Sequence, residues 1–239
     1  MANLLIEIGN TALKAAWSEG VTLGKTFRYQ GEKTMDFILS LTKKEKPEVM
    51  VVASTIQLAE SDLLALEGEC GRLVMLDGQQ LSGRSIPAWL SCDRAASIVA
   101  ARYLFKGKGC TIVDFGTTLT IDFIDADGMY QGGNISLGCR TRFKALNRYS
   151  RALPLINTPE EIPVAGHSVP SSIEAGVVYG IQFEIERYLD ENPENISVFT
   201  GGDANYFAKR MKSSIFVISN LVLMGLAIIA EDYVRKNEK

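Results

Sequence analysis

Histidine is almost missing from this chain: His167 is the one example in 239 residues. Nucleophilic chemistry built on a Ser–His or Cys–His pair therefore has a single candidate. His167 lies in Val164-Ala165-Gly166-His167-Ser168, beside turn-forming residues, where a solvated loop histidine is expected. The four cysteines (Cys70, Cys92, Cys110, Cys139) show no CxxC spacing and no neighbouring histidine. Thiolate metal sites are not expected on that pattern, and reduced thiols in a cytoplasm fit it. A basic excess is lacking as well. The net charge is −3 with no long run of Lys or Arg, so non-specific nucleic-acid binding is not expected. Long apolar runs are absent too: Leu221 to Ala230 is about half of what spans a bilayer, so no membrane partner is expected. The N-terminal MANLLIEIGN carries an acid within its first apolar segment and has no basic region ahead of it, unlike a signal peptide.

What is present is ordinary in bulk and specific in one place. An apolar fraction of 46% and a charged fraction of 22% describe a globular protein, long enough for two lobes. The organising stretch is Cys110 to Gly138. An apolar run, Thr111-Ile112-Val113, ends on Asp114. Phe115-Gly116-Thr117-Thr118 then turns the chain, β-type residues return at Leu119 to Ile124, and Asp127-Gly128 is a hairpin dipeptide. The turn gathers an acid, two hydroxyls and backbone amides that glycine lets a ligand approach, which suits phosphate oxygens. Leu4 to Lys14 has the same arrangement: Glu7 aligns with Asp114, Gly9 with Gly116 and Thr11 with Thr118 at one offset. A structural duplication is the simplest cause.

Read in order, Ala15 to Tyr29 supplies two further strands, and Met35, Ile38 and Leu39 mark a helix over 34–43. Val49 to Ala53 reads as a buried parallel strand, 59–67 as a helix and 72–76 as a strand. The residues 83–91 are loop-like, and a helix runs from Ala95 to Leu104 with Asp93 where an N-cap belongs. Asp93 can be only that cap, or Asp93-Arg94 can address a small anionic substrate, and the residues themselves leave both open. A basic helix over 140–152 reads as solvated. A proline-rich loop or lid over 153–170 precedes a helix from about Ile173 to Leu189, capped by Ser171-Ser172. Gly176 and Gly180 share a face of that helix and predict close packing of another backbone. A strand at Ile196 to Phe199 leads into Gly201-Gly202-Asp203-Ala204, where a nucleotide base or ribose can lie against the backbone. A last strand, 214–218, and a terminal helix to about Lys236 complete a second βββαβαβ set. The fold class is thus α/β, two βββαβαβ lobes over residues 1–108 and 109–239 with a cleft between them.

That duplication resembles the ribonuclease H-like (actin-like ATPase) superfamily of sugar and acid kinases. More narrowly, the ordered motifs Glu7-Ile8-Gly9-Asn10-Thr11-x-x-Lys14, Ser91-Cys92-Asp93-Arg94, Asp114-Phe115-Gly116-Thr117 and Gly132-Gly133-x-Ile135-x-x-Gly138 are similar to those of type III pantothenate kinase. Thr200-Gly201-Gly202-Asp203 and Leu221-Val222-Leu223-x-Gly225-Leu226 fit the same family in order and spacing, so the resemblance spans nearly the whole chain.

The resemblance implies transfer of the ATP γ-phosphate to the primary hydroxyl of pantothenate, the first step of coenzyme A synthesis, by a cytoplasmic homodimer. It assigns Asp93 as the base and Ser91, Cys92, Asp93, Arg94 and Val169 to the substrate. It assigns Glu7, Ile8, Gly9, Asn10, Thr11, Ala12, Leu13, Lys14 and Thr117 to ATP with Mg²⁺, and Asp114 to a monovalent cation, potassium or ammonium. Departures from the family pattern are Glu7 for an aspartate, Ser91 for a glycine, Leu137 for a proline, Arg84 for a tyrosine, and Val169 (or Ser171) for a threonine. These keep two alternatives in view: a non-catalytic regulatory relative that binds nucleotide, and a kinase of another small hydroxy acid.

Overall fold

In a computed structural model, which describes residues 2–237, alternation decides how the first hairpin folds. Strands β1 (Asn3–Ile8) and β2 (Leu13–Glu19) pair antiparallel, with Ile8 opposite Leu13 and Glu7 opposite Lys14. Strand β3 (Thr22–Tyr29) extends the meander, then helix α1 (Thr34–Thr42) crosses to β4 (Val49–Ser54). Helix α2 (Glu60–Gly68) leads to β5 (Arg72–Met75), and the short α3 (Gly78–Ser82) precedes α4 (Cys92–Leu104). The sheet order is β3-β2-β1-β4-β5, with β4 parallel to both its neighbours. β1 and β4 are apolar on both faces because both faces are covered. Leu4, Ile6, Ile8, Leu13, Ala15, Met50 and Val52 form one core with Ile38 of α1 and Leu66 of α2.

The second unit repeats this plan. Strands β6 (Cys110–Phe115), β7 (Thr118–Ile124) and β8 (Tyr130–Leu137) form the meander, followed by α5 (Cys139–Tyr149) and α6 (Val169–Glu191). Strand β9 (Ile196–Gly201), helix α7 (Ala204–Ala208) and β10 (Ile215–Val217) complete it. Its sheet order, β10-β9-β6-β7-β8, is the first order read backwards, which is the duplication expected from sequence. Its core joins Val113, Phe115, Leu119 and Ile121 of the sheet to Phe143, Ile173, Val178, Ile181 and Phe207 of the helices.

The chain divides into 1–106 with 220–239, and 107–219. This differs at the C-terminus from the sequence-based boundary, which gave everything from 109 onward to the second lobe. Helix α8 (Leu221–Asn237) packs on α4, β1 and β4 of the first unit. Gly225 makes the α4–α8 approach possible, because a Cβ there would overlap the Ala96 carbonyl.

Three local readings change. Ser91, not Asp93, occupies the N-cap position of α4, without a side-chain cap bond. Helix α6 starts four residues earlier than expected: Ser168 caps it in a reciprocal pair with Ser171, and Pro170 fits the first turn, where no N–H partner is lost. The single offset between the halves holds to the turn glycines and then slips. Gly9 N donates to Ala12 O, whereas Gly116 N donates to Thr118 O, so the first turn is one residue longer. Thr118 therefore corresponds to Ala12 and not to Thr11. Lys14 takes the place of Thr120, which pairs with Asp114.

Candidate active site

In the first unit, the end of β1 carries the acid and the end of β2 its counter-charge. Glu7 and Lys14 are direct cross-strand partners, so their side chains leave the same face of the sheet. Lys14 Nζ donates to both carboxylate oxygens, at 3.2 and 3.1 Å, and the side chains are 14% and 32% exposed for Glu7 and Lys14. Burial pushes the Glu7 carboxyl above the usual glutamate range, Lys14 pulls it back, and the Asp93 carboxylate adds to the push. Glu7 and Asp93 thus lie within electrostatic reach of each other.

The turn between the two strands consists of Gly9, Asn10, Thr11 and Ala12, with Asn10 and Thr11 exposed. Ile8 and Leu13, which flank it, are 3% exposed and belong to the core. Their side chains cannot meet a ligand, and only their backbone is offered. The Ile8 carbonyl already accepts from Thr55 N and Thr55 Oγ1, at 3.0 and 3.1 Å. The sequence motif marked all eight residues alike, although alternation buries two of them.

Helix α4 presents the second group. Ser91 is exposed ahead of it, and Cys92 is its first residue, with Sγ donating to Leu76 O at 2.8 Å. Burial raises the Cys92 thiol and the neighbouring Asp93 charge raises it further, so this thiol stays protonated. Asp93 is the second residue of the helix; its Oδ1 accepts from Arg94 N at 2.9 Å. Freed of the N-cap position, the carboxylate stands at the positive end of a helix of 13 residues. Arg94 is buried, 7% exposed.

The 78–91 segment before α4 is tied down. Arg84 donates to Asp232 of α8 at 2.5 Å, and Arg102 Nη1 donates to the Arg84 carbonyl at 2.8 Å. The charge of Arg84, one of the departures from the family pattern, is thus held by Asp232.

In the second unit Asp114 is the penultimate residue of β6 and lies between Thr120 and Thr200. Its carboxylate lies against Gly201, which has φ +92°; a Cβ there would overlap that carboxylate and the Phe115 backbone. Gly202 N donates to Phe115 O at 2.9 Å, so the Gly-Gly turn and the Asp114 turn are stitched together. Thr117 is exposed on that turn, and its carbonyl accepts from Gly138 N at 3.1 Å and Thr141 Oγ1 at 2.7 Å. Gly138 is where a Cβ would overlap the Gly116 and Thr117 carbonyls, so the start of α5 packs directly on the turn. Val169 is the first residue of α6. It is 53% exposed and lines an open groove of about 830 Å³ with Leu137, Leu146, Tyr149, Ile173 and Gly176.

Sequence reading missed several features of the second unit. Asp203 follows the Gly-Gly turn without capping α7, and burial raises its carboxyl while Arg140 draws it back. Arg142, expected to be solvated, bonds Leu137 O, Ser136 Oγ and Glu184, tying α5 to β8 and α6. Residues 153–170 are not a free lid: Tyr206 Oη donates to Pro159 O at 2.7 Å, Asn147 to Leu153 O at 2.8 Å, and Arg210 to Glu160 O. Glu184, Tyr206 and Arg210 lie 42 to 50 residues from their partners, so no local pattern announces those bonds. Among the described residues Gly176 and Gly180 do not serve packing of another element: beyond the helix's own backbone, a Cβ at Gly176 would meet nothing within 4 Å and one at Gly180 only Arg142, at 3.7 Å.

The chain is similar over most of its length to known proteins. The family model described as type III pantothenate kinase matches residues 3–191. A type III pantothenate kinase of Phocaeicola vulgatus is 38% identical over 232 residues, 94% of this chain and 96% of that one. Among solved structures, the activator of the 2-hydroxyisocaproyl-CoA dehydratase from Clostridium difficile superimposes with a TM-score of 0.61 at 13% identity, covering 100% and 97% of the two chains. The ROK hexokinase of Thermus thermophilus gives 0.55 at 12% identity over 98% and 100%. At such identities these two speak for the fold alone, which is that of the actin-like ATPases and kinases. Family match and curated relative together, spanning nearly the whole chain, assign the chemistry: the chain belongs to the type III pantothenate kinase family, enzymes that phosphorylate pantothenate at the expense of ATP in coenzyme A biosynthesis.

Proposed function

We propose that Asp93 is the base of this reaction and that the two acidic turns hold the nucleotide. The observation that carries the proposal is the pairing of roles at one end of the first unit. One carboxylate there, Glu7, is neutralised by Lys14, and the other, Asp93, stands within its electrostatic reach at a helix start. In this reading the primary hydroxyl oxygen of pantothenate attacks the γ-phosphorus. Its proton passes to the Asp93 carboxylate, the bond to the bridging oxygen breaks, and ADP leaves. Ser91, Cys92 and Arg94 line the substrate, with Arg94 the counter-charge for its carboxylate, and Val169 supplies an apolar contact. Gly9 to Ala12 and Lys14 approach the ATP phosphates with Thr117, while Ile8 and Leu13 only shape the turn. Phosphoryl transfer rests on positioning and charge neutralisation, which rigid strand ends supply.

The family implies ATP and a divalent metal ion. Among the described residues no cluster of three or more His, Cys, Asp or Glu is poised to hold a metal. That donor set fits Mg²⁺ carried by nucleotide phosphates and water, with one carboxylate such as Glu7 completing it. Asp114, half-buried beside the backbone of Gly201, is the proposed ligand of a potassium or ammonium ion.

The protein is further proposed to be a cytoplasmic homodimer. Among the described residues no helix is long and apolar enough to cross a membrane. Along α6, Phe183 is 62% and Val169 53% exposed, beside Val164 at 88%, and the open Gly176 and Gly180 lie among them. Such an apolar face with glycine hollows fits a second copy of the chain.

The test is a coupled assay of ADP release with pantothenate, with and without potassium, on wild type and Asp93→Asn. Pantothenate-dependent, potassium-stimulated turnover that falls about 10²- to 10⁴-fold in the variant, with ATP binding kept, is expected. Turnover within a few-fold of wild type would leave Asp93 without the role of base.

A further inference from the structure

The sheet register of the first unit places a residue that no motif contains. Across β4, β1, β2 and β3, Ala53, Glu7, Lys14 and Arg28 are successive lateral partners, so their side chains share one face. The duplicated unit provides an internal control. The corresponding row there is Thr200, Asp114, Thr120 and Ile135. Both rows have the acid, so the fold's plan accounts for it. Only the first row adds two cations, and nothing in the repeated architecture requires them.

The cations are not equivalent. Lys14 is spent on Glu7, with which it forms a two-oxygen pair. Arg28 is exposed and, among the described residues, forms no ion pair. The row beside the glycine turn therefore has a net positive charge that belongs to Arg28. Edge strands often carry charges simply to discourage pairing with other chains, and β3 is an edge. Lys25 fits that role better. It lies on the other face of β3, over the Phe27 ring at 5.1 Å, where the sheet packs on its core.

We propose that Arg28 binds the polyphosphate of ATP, as the outer member of the row that begins at Glu7. A guanidinium presents paired N–H donors that match two phosphate oxygens, and adjacent strands only about 4.8 Å apart let it reach over Lys14. With Lys14 balanced by Glu7, Arg28 is the charge that turns a neutral pair into an anion site. This rests on the reading that the Glu7–Lys14 turn holds the nucleotide.

Calorimetry separates the two claims. For Arg28→Met, the Kd values of ATP and of inorganic tripolyphosphate should each rise about tenfold, the loss of one charge-assisted contact. The Kd of adenosine should stay within twofold, and Arg28→Lys should fall between wild type and Arg28→Met for the two anions. Lys25→Met, which removes the same charge from the opposite face, should match wild type. Arg28→Met within twofold of wild type for both anions, or Lys25→Met weakening them as much, would overturn the proposal. Because the measurement is binding, absence of pantothenate-dependent turnover in wild type would count against the proposed function and not against Arg28. If Arg28→Met does not fold, Arg28→Lys decides alone: an unchanged tripolyphosphate Kd rejects the two-oxygen contact.

Discussion

Glu7 and Lys14 face one another across the first hairpin, with the ammonium 3.1 and 3.2 Å from the two carboxylate oxygens. The pair answers the main departure from the family pattern, a glutamate where an aspartate is usual. The extra methylene does not leave the charge loose in the site, because a lysine on the next strand grips it.

Removing the two partners is expected to shift stability in opposite directions near neutral pH. Burial holds the Glu7 carboxyl above its usual range, so folding disfavours its ionised form. The resulting cost is absent at pH values below the unfolded glutamate pKa. It grows as pH rises toward the raised folded pKa and stays constant above it. Glu7→Gln removes the cost, so its melting temperature relative to wild type should climb across that window while ATP turnover falls. Lys14→Met removes the compensation and should lose about 1–2 kcal/mol near pH 7, less than a fully buried pair because the lysine is partly exposed. Thermal melting of the three proteins from pH 4 to about 8 checks both signs.

Much of this geometry was legible in the sequence, because the strands are short, apolar and bounded by glycine turns. The two acids, the duplicated order and the α4 motif all follow from local pattern. The slipped register was not: Thr11 and Thr118 look equivalent in a linear alignment, and only the turn bonds Gly9 N to Ala12 O and Gly116 N to Thr118 O separate them. The terminal helix was likewise misassigned, since its apolar run says that it is buried without saying against what. Partners such as Arg84 and Asp232 lie 148 residues apart, and no periodicity links them.

Gly201→Ala should damage the second acidic turn directly. The position has φ +92°, and a Cβ would overlap the Asp114 carboxylate and the Phe115 backbone. Backbone strain of this kind costs about 1–3 kcal/mol. A potassium titration of turnover should lose its stimulation in the variant, and thermal melting should fall by several degrees, about 2–4 °C for each kcal/mol in a chain of this size. Normal potassium stimulation would detach Asp114 from the proposed cation role.

Gly225→Ala tests the placement of α8. In a helix interior alanine ordinarily gains about 1 kcal/mol over glycine. Here the added methyl would overlap the Ala96 carbonyl, a backbone atom of α4 that cannot swing aside. Overpacking of this sort costs about 1–3 kcal/mol and outweighs the propensity gain. Urea denaturation should show the variant less stable than wild type. A more stable variant would mean that α8 does not sit on α4 as described.

Gly176→Leu turns the same propensity argument around. Among the described residues, apart from α6's own backbone and the adjoining residues, nothing lies within 4 Å of a Cβ at Gly176, so a side chain there starts into open space. A lone chain should gain up to about 1 kcal/mol from the better helix former. A second copy seated on this face would instead meet a bulky side chain where it needs a hollow, and association should weaken. Sedimentation of wild type and variant over a range of concentrations distinguishes the two. The expected result is a wild-type dimer and a variant that is monomeric at the same concentration, folded, and no less stable to urea once both are dissociated. A variant that stays dimeric would move the interface away from this face of α6.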